Sequence, residues 1–522
     1  MGERVHRSIM NIKVGMVFYT FTLILAFFSR KIFLDCLGAE FIGLTGMLMN
    51  IMSYLSVAEL GIGTSIIYFL YKPLQEDDHK KINEVMSMLA FLYRCIGCVI
   101  LAIGIVVSLF FPWWFDNLGT GLPLVYFAFY SFLLSSAAGY IFNYKQLLVS
   151  ANQKQYLVSS YFQTISILQS VTQILLAWYY RNLWLWVVVG LVFTVIGIIT
   201  FNIRIRQLYP WLQINLTEGR KNLKKYPEVL KKTSQVFIHR IKDTILYHSD
   251  EIMVGMFVSV VKVAFYGNYT MIVNKFNFLV NILSEGLSAG IGNLLAEGNE
   301  HNIIKVFWEL TAVRFLILGM VIFALLLFIQ PFISCWLGQQ YQLSNVIVYL
   351  LIFNLFIRYQ TAAVYIYIGS AGLFSDVWAS WIELILNLSI TLLLAPSYGI
   401  IGILLGKIIS FGLISSFWKP YFLFSKTFHR SVWEYWRGMT PCYIIFIVYA
   451  MLTVWLKNAI IAPHSDSFVS LSLYGFAVYI PLSTSFFLMF FVFTKGTKYF
   501  VARKPTIYRI LTSMTCIGTK LP

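Results

Sequence analysis

Charged side chains interrupt several long apolar stretches of this chain. A charge at the centre of a bilayer costs roughly 2.5–3.5 kcal/mol on insertion scales, so such a group usually faces a cavity or a partner. Four basic residues have the chemistry to hold an anion in a low-dielectric chamber: Arg240, Lys275, Arg358 and Lys407. Four acidic residues could bind a proton or a sodium ion, or could equally be hydrogen-bonded structural groups: Glu59, Glu285, Asp376 and Glu383.

Most of these residues belong to polar stripes with helical spacing. One stretch aligns Asp376, Ser380, Glu383 and Asn387, and another aligns Asn274, Asn281, Glu285 and Ser288, with Lys275 beside them. A third stripe joins Arg240, Asp243, Tyr247 and Glu251 within about 80° of a helical wheel. This third stripe could line a wet pathway, or Arg240 and Asp243 could simply neutralise each other.

The elements that position these residues are predicted to be membrane-spanning helices. The chain has 522 residues, of which 59% are hydrophobic and 12% charged, and its mean hydropathy is +0.75. These values exclude a soluble globular protein. Fourteen apolar stretches are long enough to span a bilayer: 13–31, 41–70, 86–111, 123–147, 156–178, 184–203, 236–258, 264–290, 306–330, 343–368, 373–395, 399–424, 440–460 and 470–494.

The net charge of +17 is best interpreted as an orientation signal. Most of the 39 Lys and Arg residues fall in connections on one side of the membrane, together with both termini. By the positive-inside rule that side is cytoplasmic. We therefore expect a multi-pass protein with both termini in the cytoplasm, and no nucleic-acid partner.

The two halves of the chain repeat each other. Pro112 opens a P-x5-L-G segment that ends at Gly119, and Pro331 opens another that ends at Gly338, an offset of 219 residues. Duplicated helical bundles in membranes are typical of transporters. We therefore predict an all-α fold with two six-helix lobes and two extra helices. The predicted limits are 1–203 for the first lobe, 204–234 for a basic cytoplasmic linker, 235–424 for the second lobe, and 425–522 for the extra helices and a basic tail.

Two segments resemble signature regions of bacterial polysaccharide-repeat-unit flippases of the Wzx type. They run from Ser29 to Lys81 and from Val263 to Gly298. Such flippases belong to the multidrug/oligosaccharidyl-lipid/polysaccharide (MOP) exporter superfamily, whose fold is two six-helix lobes around a V-shaped cavity. Within the resemblance, Arg30 matches an arginine of the first segment and becomes a further cation candidate. Asp250 matches an acid common in the seventh helix and becomes a further coupling candidate.

The resemblance implies movement of an undecaprenyl-diphosphate-linked oligosaccharide across the bacterial inner membrane, for O-antigen, capsule or exopolysaccharide synthesis. Expected partners are the lipid-linked oligosaccharide, membrane lipids, and possible polysaccharide polymerase and chain-length-regulator proteins. Two alternatives from the same superfamily are a cation-coupled multidrug exporter and a lipid II flippase.

An enzyme is the less favoured alternative. Membrane polymerases and ligases typically use large external loops to hold sugars, and the predicted outward connections are all short. The aqueous segments contain no metal motif and no paired carboxylates, so we expect neither a metal nor a cofactor.

Overall fold

Most of the chain that the structure describes is helical. The computed structural model describes residues 2–503 except 60–61, 117, 153, 226–243, 247, 286–290, 293, 296, 374 and 463–466, with some stretches, including 2–13 and 277–285, described by backbone alone. The helices, in chain order, are α1 Gly2–Leu37, α2 Ala39–Leu55, α3 Ile62–Gln75, α4 His79–Ser108, α5 Phe111–Trp114, α6 Leu122–Asn143, α7 Gln146–Ala151, α8 Gln155–Tyr180, α9 Leu183–Leu208, α10 Leu216–Lys225, α11 Val260–Glu285, α12 Glu300–Leu337, α13 Asn345–Tyr359, α14 Ala362–Ser370, α15 Val377–Tyr398, α16 Ile400–Phe411, α17 Lys419–Lys426, α18 Val432–Leu456, α19 Phe468–Phe493 and α20 Lys495–Ala502. Residues 248–257 are also helical.

The predicted fold class, an all-α polytopic membrane protein, is confirmed. In the described residues, ten helices are long and apolar enough to cross a membrane, and they coincide with ten of the fourteen predicted stretches. The other four stretches are helical at most of their described residues, but they are shorter or more polar. They are 41–70, 156–178, 236–258 and 264–290, and three of them hold intramembrane acids that the sequence singles out.

The stretch 41–70 is two helices rather than one. Helix α2 ends at Leu55, a 3-10 turn occupies Ser56–Glu59, and α3 begins at Ile62. The tighter 3-10 geometry ends the α-helical hydrogen-bond pattern and lets Glu59 turn toward a neighbouring helix.

The chain divides into two compact units, Met1–Ala264 and Phe265–Pro522. Each has an interior rich in aromatic rings. Tyr93, Phe111 and Phe129 are fully buried in the first unit, and Phe307 and Phe323 are fully buried in the second. The predicted lobe limits, at residues 203 and 235, stay predictions.

The connection after α9 contacts the first unit. Helix α10 lies against α4, so closely that a Cβ on Gly219 would come within 2.2 Å of the Ser87 carbonyl oxygen. The backbone N–H of Asn215 donates to Ser87 Oγ at 3.0 Å, and Lys225 pairs with Glu84 at 2.6 Å. The first part of the predicted linker 204–234 is therefore docked on the helical bundle, which its basic composition did not indicate.

Candidate functional site

A buried ion pair joins two elements of the second unit. Asp376 is the N-cap residue of α15, and Lys419 is the first residue of α17. The Lys419 ammonium lies 2.6 Å from Asp376 Oδ2, and both side chains are 7% exposed. Trp418 Nε1–H also donates to Asp376 Oδ2, at 3.3 Å. A buried ion pair is stable only when further hydrogen bonds compensate its lost hydration, and the indole supplies one.

A π-helix, Gly412–Trp418, separates α16 from α17 and supplies the next contacts. Its Ser415 hydroxyl donates to Glu383 Oε1 at 3.3 Å and lies 2.8 Å from the Tyr365 hydroxyl. Short π-helical segments occur frequently at functional sites. We call Asp376, Lys419, Glu383, Ser415 and Tyr365 the second-unit polar cluster.

Glycines bring the helices around this cluster close together. Helices α15 and α16 meet at Gly402 and Gly406, and a Cβ on Gly406 would lie 2.3 Å from Thr391 Oγ1. The same two helices carry buried charges. Glu383 on α15 is 1% exposed, and Lys407 on α16 is 9% exposed. Four buried ionisable groups, two acids and two lysines, therefore lie on α15 to α17.

The predicted cation Arg358 stands beside this region, on α13. Its guanidinium lies over the Tyr359 ring, 5.2 Å from the centroid, and the side chain is half-buried. The Asn354 amide donates to the Leu404 carbonyl at 3.2 Å. That bond joins α13 to α16 about one turn from Arg358 and Lys407, so the two predicted cations lie on adjoining helices.

Glu59 lies in the first unit and is bonded to tyrosines. The Tyr93 hydroxyl donates to Glu59 Oε1 at 2.6 Å, and the Tyr140 hydroxyl also interacts with this carboxyl group. A carboxylate that accepts such bonds is stabilised in place, and it fastens the 3-10 turn to α4 and α6.

Arg30 contacts two residues of the last part of the first unit, Ala264 and Glu251. Its guanidinium donates to the Ala264 carbonyl at 2.9 Å and interacts electrostatically with Glu251. The Asn50 side-chain amide N–H donates to Glu251 Oε2 at 2.7 Å, and Asn50 Oδ1 lies 2.9 Å from His248 Nδ1. Helical spacing in the sequence places Glu251 in a polar stripe but gives no signal for Asn50, its partner 201 residues away.

The remaining predicted residues are scattered. Asp250 is buried, near Tyr54 of α2. Lys275 is half-buried on α11, and Glu285 ends that helix with a side chain that is not described. Arg240 lies outside the described residues. Within the described residues, no three His, Cys, Asp or Glu side chains come together as metal ligands.

Comparisons with known proteins identify the fold. No family model and no curated protein sequence matches the chain. Among solved structures, the lipid II flippase MurJ in an inward closed conformation is similar, with a TM-score of 0.64 and 16% identity over 91% of this chain and 99% of that one. An inward-facing multidrug resistance MATE family transporter of the MOP superfamily is similar with a TM-score of 0.55 and 14% identity, over 79% of this chain and 97% of that one. The chain therefore has the fold of these transporters, while the polysaccharide-repeat-unit subtype stays a prediction.

Proposed function

We propose that this protein is a flippase of the MOP superfamily that moves an undecaprenyl-diphosphate-linked oligosaccharide repeat unit across a bacterial inner membrane. The observation that carries the proposal is the likeness to a lipid II flippase over 91% of the chain. The likeness to a MATE transporter covers 79% of the chain. Both matches take in nearly all of the neighbouring chain, and the proposal of a lipid-linked cargo follows the neighbour that accounts for more of this chain's length.

The chemistry of the cargo supports the same choice. A diphosphate and a sugar chain cannot cross hydrocarbon unaided, whereas a lipid tail remains in it. Cationic side chains inside the membrane spans would bind the diphosphate, and alternating exposure to the two sides would move it. No covalent step is needed, so the proposal is transport and not catalysis.

The proposed cations differ in how well their surroundings suit a mobile anion. Arg358 is half-buried over a tyrosine ring. Of the two proposed cations beside the second-unit polar cluster, Arg358 and Lys407, it is the more accessible to solvent. Lys407 is 9% exposed. We therefore propose Arg358 as the first diphosphate-binding residue and keep Lys275, Lys407, Arg30 and Arg240 as further members of the set.

Coupling to an ion is proposed for the acids of the second-unit polar cluster. Glu383 is 1% exposed and accepts a hydrogen bond from Ser415, a setting in which gain of a proton or sodium ion would change its contacts. Asp376 is already paired with Lys419. We therefore propose Glu383, which is the less exposed of the two acids and accepts from an uncharged hydroxyl, as the first coupling candidate, with Asp376, Glu59, Asp250 and Glu285 as further candidates.

Complementation tests the cargo. The gene is expressed in one strain that lacks its repeat-unit flippase and in another depleted of its lipid II flippase, with protein levels checked in both. Restored surface polysaccharide in the first strain alone is the expected result. Rescue of the second strain alone would establish the second candidate, lipid II transport, which the likeness to the lipid II flippase also favours. Tags fused to each end of the protein in the same cells test its localisation and orientation. We expect the inner membrane, with both termini in the cytoplasm.

A further inference from the structure

The second unit contains a cavity apart from the polar cluster, near one membrane boundary. Its volume is about 540 Å³, within the range of small-ligand sites. Its walls come from the beginning of α12, the beginning of α18, the end of α19 and the beginning of α20. Buried Thr311 and Cys442 line it, and exposed Arg437 and Lys495 line it as well.

Two glycines shape this cavity by allowing close approach to Trp308, Gly438 to its ring and Gly496 to its backbone. A Cβ on Gly438 would lie 2.1 Å from the Trp308 ring, and a Cβ on Gly496 would lie 2.1 Å from the Trp308 carbonyl oxygen. Helix α20 is held on α12 by the ion pair between Arg503 and buried Glu309. The walls are therefore fixed by contacts with helices that span the membrane.

The cavity carries excess positive charge. Glu434 is engaged with Arg430, which donates to it at 3.0 Å. Glu434 also lines the cavity, but within the described residues neither Arg437 nor Lys495 forms an ion pair with it or with another carboxylate, so the lining holds two unpaired cations and one acid that is paired elsewhere. A guanidinium and an ammonium that line the same cavity suit the oxygens of a phosphate.

The surroundings are those of a lipid headgroup region. Trp433 and Phe493, at the adjoining ends of α18 and α19, are 77% and 59% exposed. Tryptophan and tyrosine side chains at the ends of membrane helices mark the interface between hydrocarbon and water, and Trp433 is placed as such a residue. The positive-inside pattern of the sequence predicts that this face, where α12 begins and α19 ends, is cytoplasmic.

We propose that this cavity binds the phosphate headgroup of an anionic glycerophospholipid from the adjoining leaflet. Arg437 and Lys495 bind the phosphate, and the acyl chains lie outside, along the exposed apolar residues of α19. Basic pockets between membrane helices are established binding sites for anionic lipid headgroups in general. The proposal is independent of the cargo assigned above, because it concerns a resident lipid and not the transported one.

The test compares lipid retention by purified full-length variants. The protein is equilibrated with mixed micelles of phosphatidylglycerol and phosphatidylcholine, and the bound lipids are counted by native mass spectrometry. The double variant Arg437→Gln/Lys495→Gln is expected to lose the preference for phosphatidylglycerol by about tenfold, since basic residues near the membrane surface supply the attraction. Glu434→Gln is expected to strengthen the preference.

A matched control separates the cavity from general surface charge. Lys221→Gln/Lys426→Gln removes two exposed lysines predicted to lie on the same membrane face and should leave the preference unchanged. Equal lipid retention by the wild type and the cavity variant, or equal loss in the control, would overturn the proposal. So would full displacement of the lipid by inorganic phosphate, because the site would then be one for a soluble anion.

Discussion

The carboxylate of Asp376, the N-cap of α15, and the ammonium of Lys419, the first residue of α17, form an ion pair of 2.6 Å. Both side chains are 7% exposed, and they lie 43 residues apart in the chain. The pair fixes where α15 begins relative to α17. It also explains why an acid and a lysine, each costly by itself in an apolar stretch, occur together.

Breaking this pair is predicted to destabilise the protein severely. Lys419→Met leaves a buried carboxylate without its counter-charge, which costs about 3–5 kcal/mol. Thermal unfolding of the purified protein in detergent measures the loss. The double variant Asp376→Asn/Lys419→Met should be more stable than Lys419→Met. Arg430→Gln is the matched control, because its exposed pair with Glu434 should contribute at most about 1 kcal/mol.

Arg358→Gln is predicted to abolish transport and leave folding intact. The half-buried side chain rests on a tyrosine ring, so an uncharged replacement keeps the fold but removes the charge proposed to bind diphosphate. The measurement is surface polysaccharide in the complemented strain, with protein level as the control. Lys407→Gln should also abolish transport. Normal polymer output from both variants would remove them from the proposed site.

Glu383→Gln is predicted to separate coupling from structure. The amide can still accept the hydrogen bond from Ser415 but cannot gain or lose a proton. We expect transport to fall by about tenfold or more and to lose its pH dependence, because the proposed ion site is gone. Initial transport rates in vesicles across a pH series measure both effects. A pH profile parallel to that of the wild type would count against Glu383 as the coupling acid.

Gly406→Ala is predicted to separate α15 from α16. The added Cβ would lie 2.3 Å from Thr391 Oγ1 and 3.1 Å from the Thr391 backbone nitrogen, so the helices must shift, at a cost of about 1–3 kcal/mol. Thermal unfolding in detergent detects the change. Gly369→Ala in α14 is the control, since nothing lies within 4 Å of its Cβ and alanine favours helix. An unfolding midpoint for Gly406→Ala equal to that of the control would contradict the close approach.

Asp78 is predicted to make the beginning of α4 sensitive to acid. Its carboxylate accepts the backbone N–H of Lys81 at 3.0 Å, and this bond, together with the Lys81 side chain, lowers the pKa of Asp78 in the folded state. The stabilisation is therefore fully present above the unfolded pKa, about 3.9, and is lost as the pH falls toward the folded value.

The difference in unfolding midpoint between the wild type and Asp78→Ala should accordingly shrink below about pH 4. Asn299, which caps α12 with a neutral amide at 3.1 Å from the Asn302 nitrogen, provides the comparison. Asn299→Ala should lower the midpoint by the same amount throughout that range. A constant difference for Asp78→Ala would show that its charge has no part in capping.

The sequence predicts the helices of this protein better than their contacts. Apolar runs of about 20 residues identify the spans, since no other element satisfies the backbone in hydrocarbon. Their ends are less predictable, because helices continue past the apolar run. Helix α12 begins at Glu300, six residues before the predicted stretch, and continues through Pro331 to Leu337.

The candidate site was predictable only in part. Charge inside apolar stretches identified Asp376, Glu383 and Lys407, because burial of a charge is rare without a reason. Lys419 was missed, since in sequence it lies at the end of an apolar run, where lysines usually reach water. Only the π-helix, which periodicity does not indicate, turns it back toward Asp376.

The docking of α10 on α4 determines where the chain can be divided for coexpression of its halves. A first fragment that ends at residue 203 would lack the chain that covers Ser87 and Glu84, and would leave His79 without the Trp211 ring stacked on it at 3.8 Å. A fragment that ends after Lys225 retains those contacts. An amino-terminal half divided after Lys225 therefore keeps the segment that shields the beginning of α4 from water.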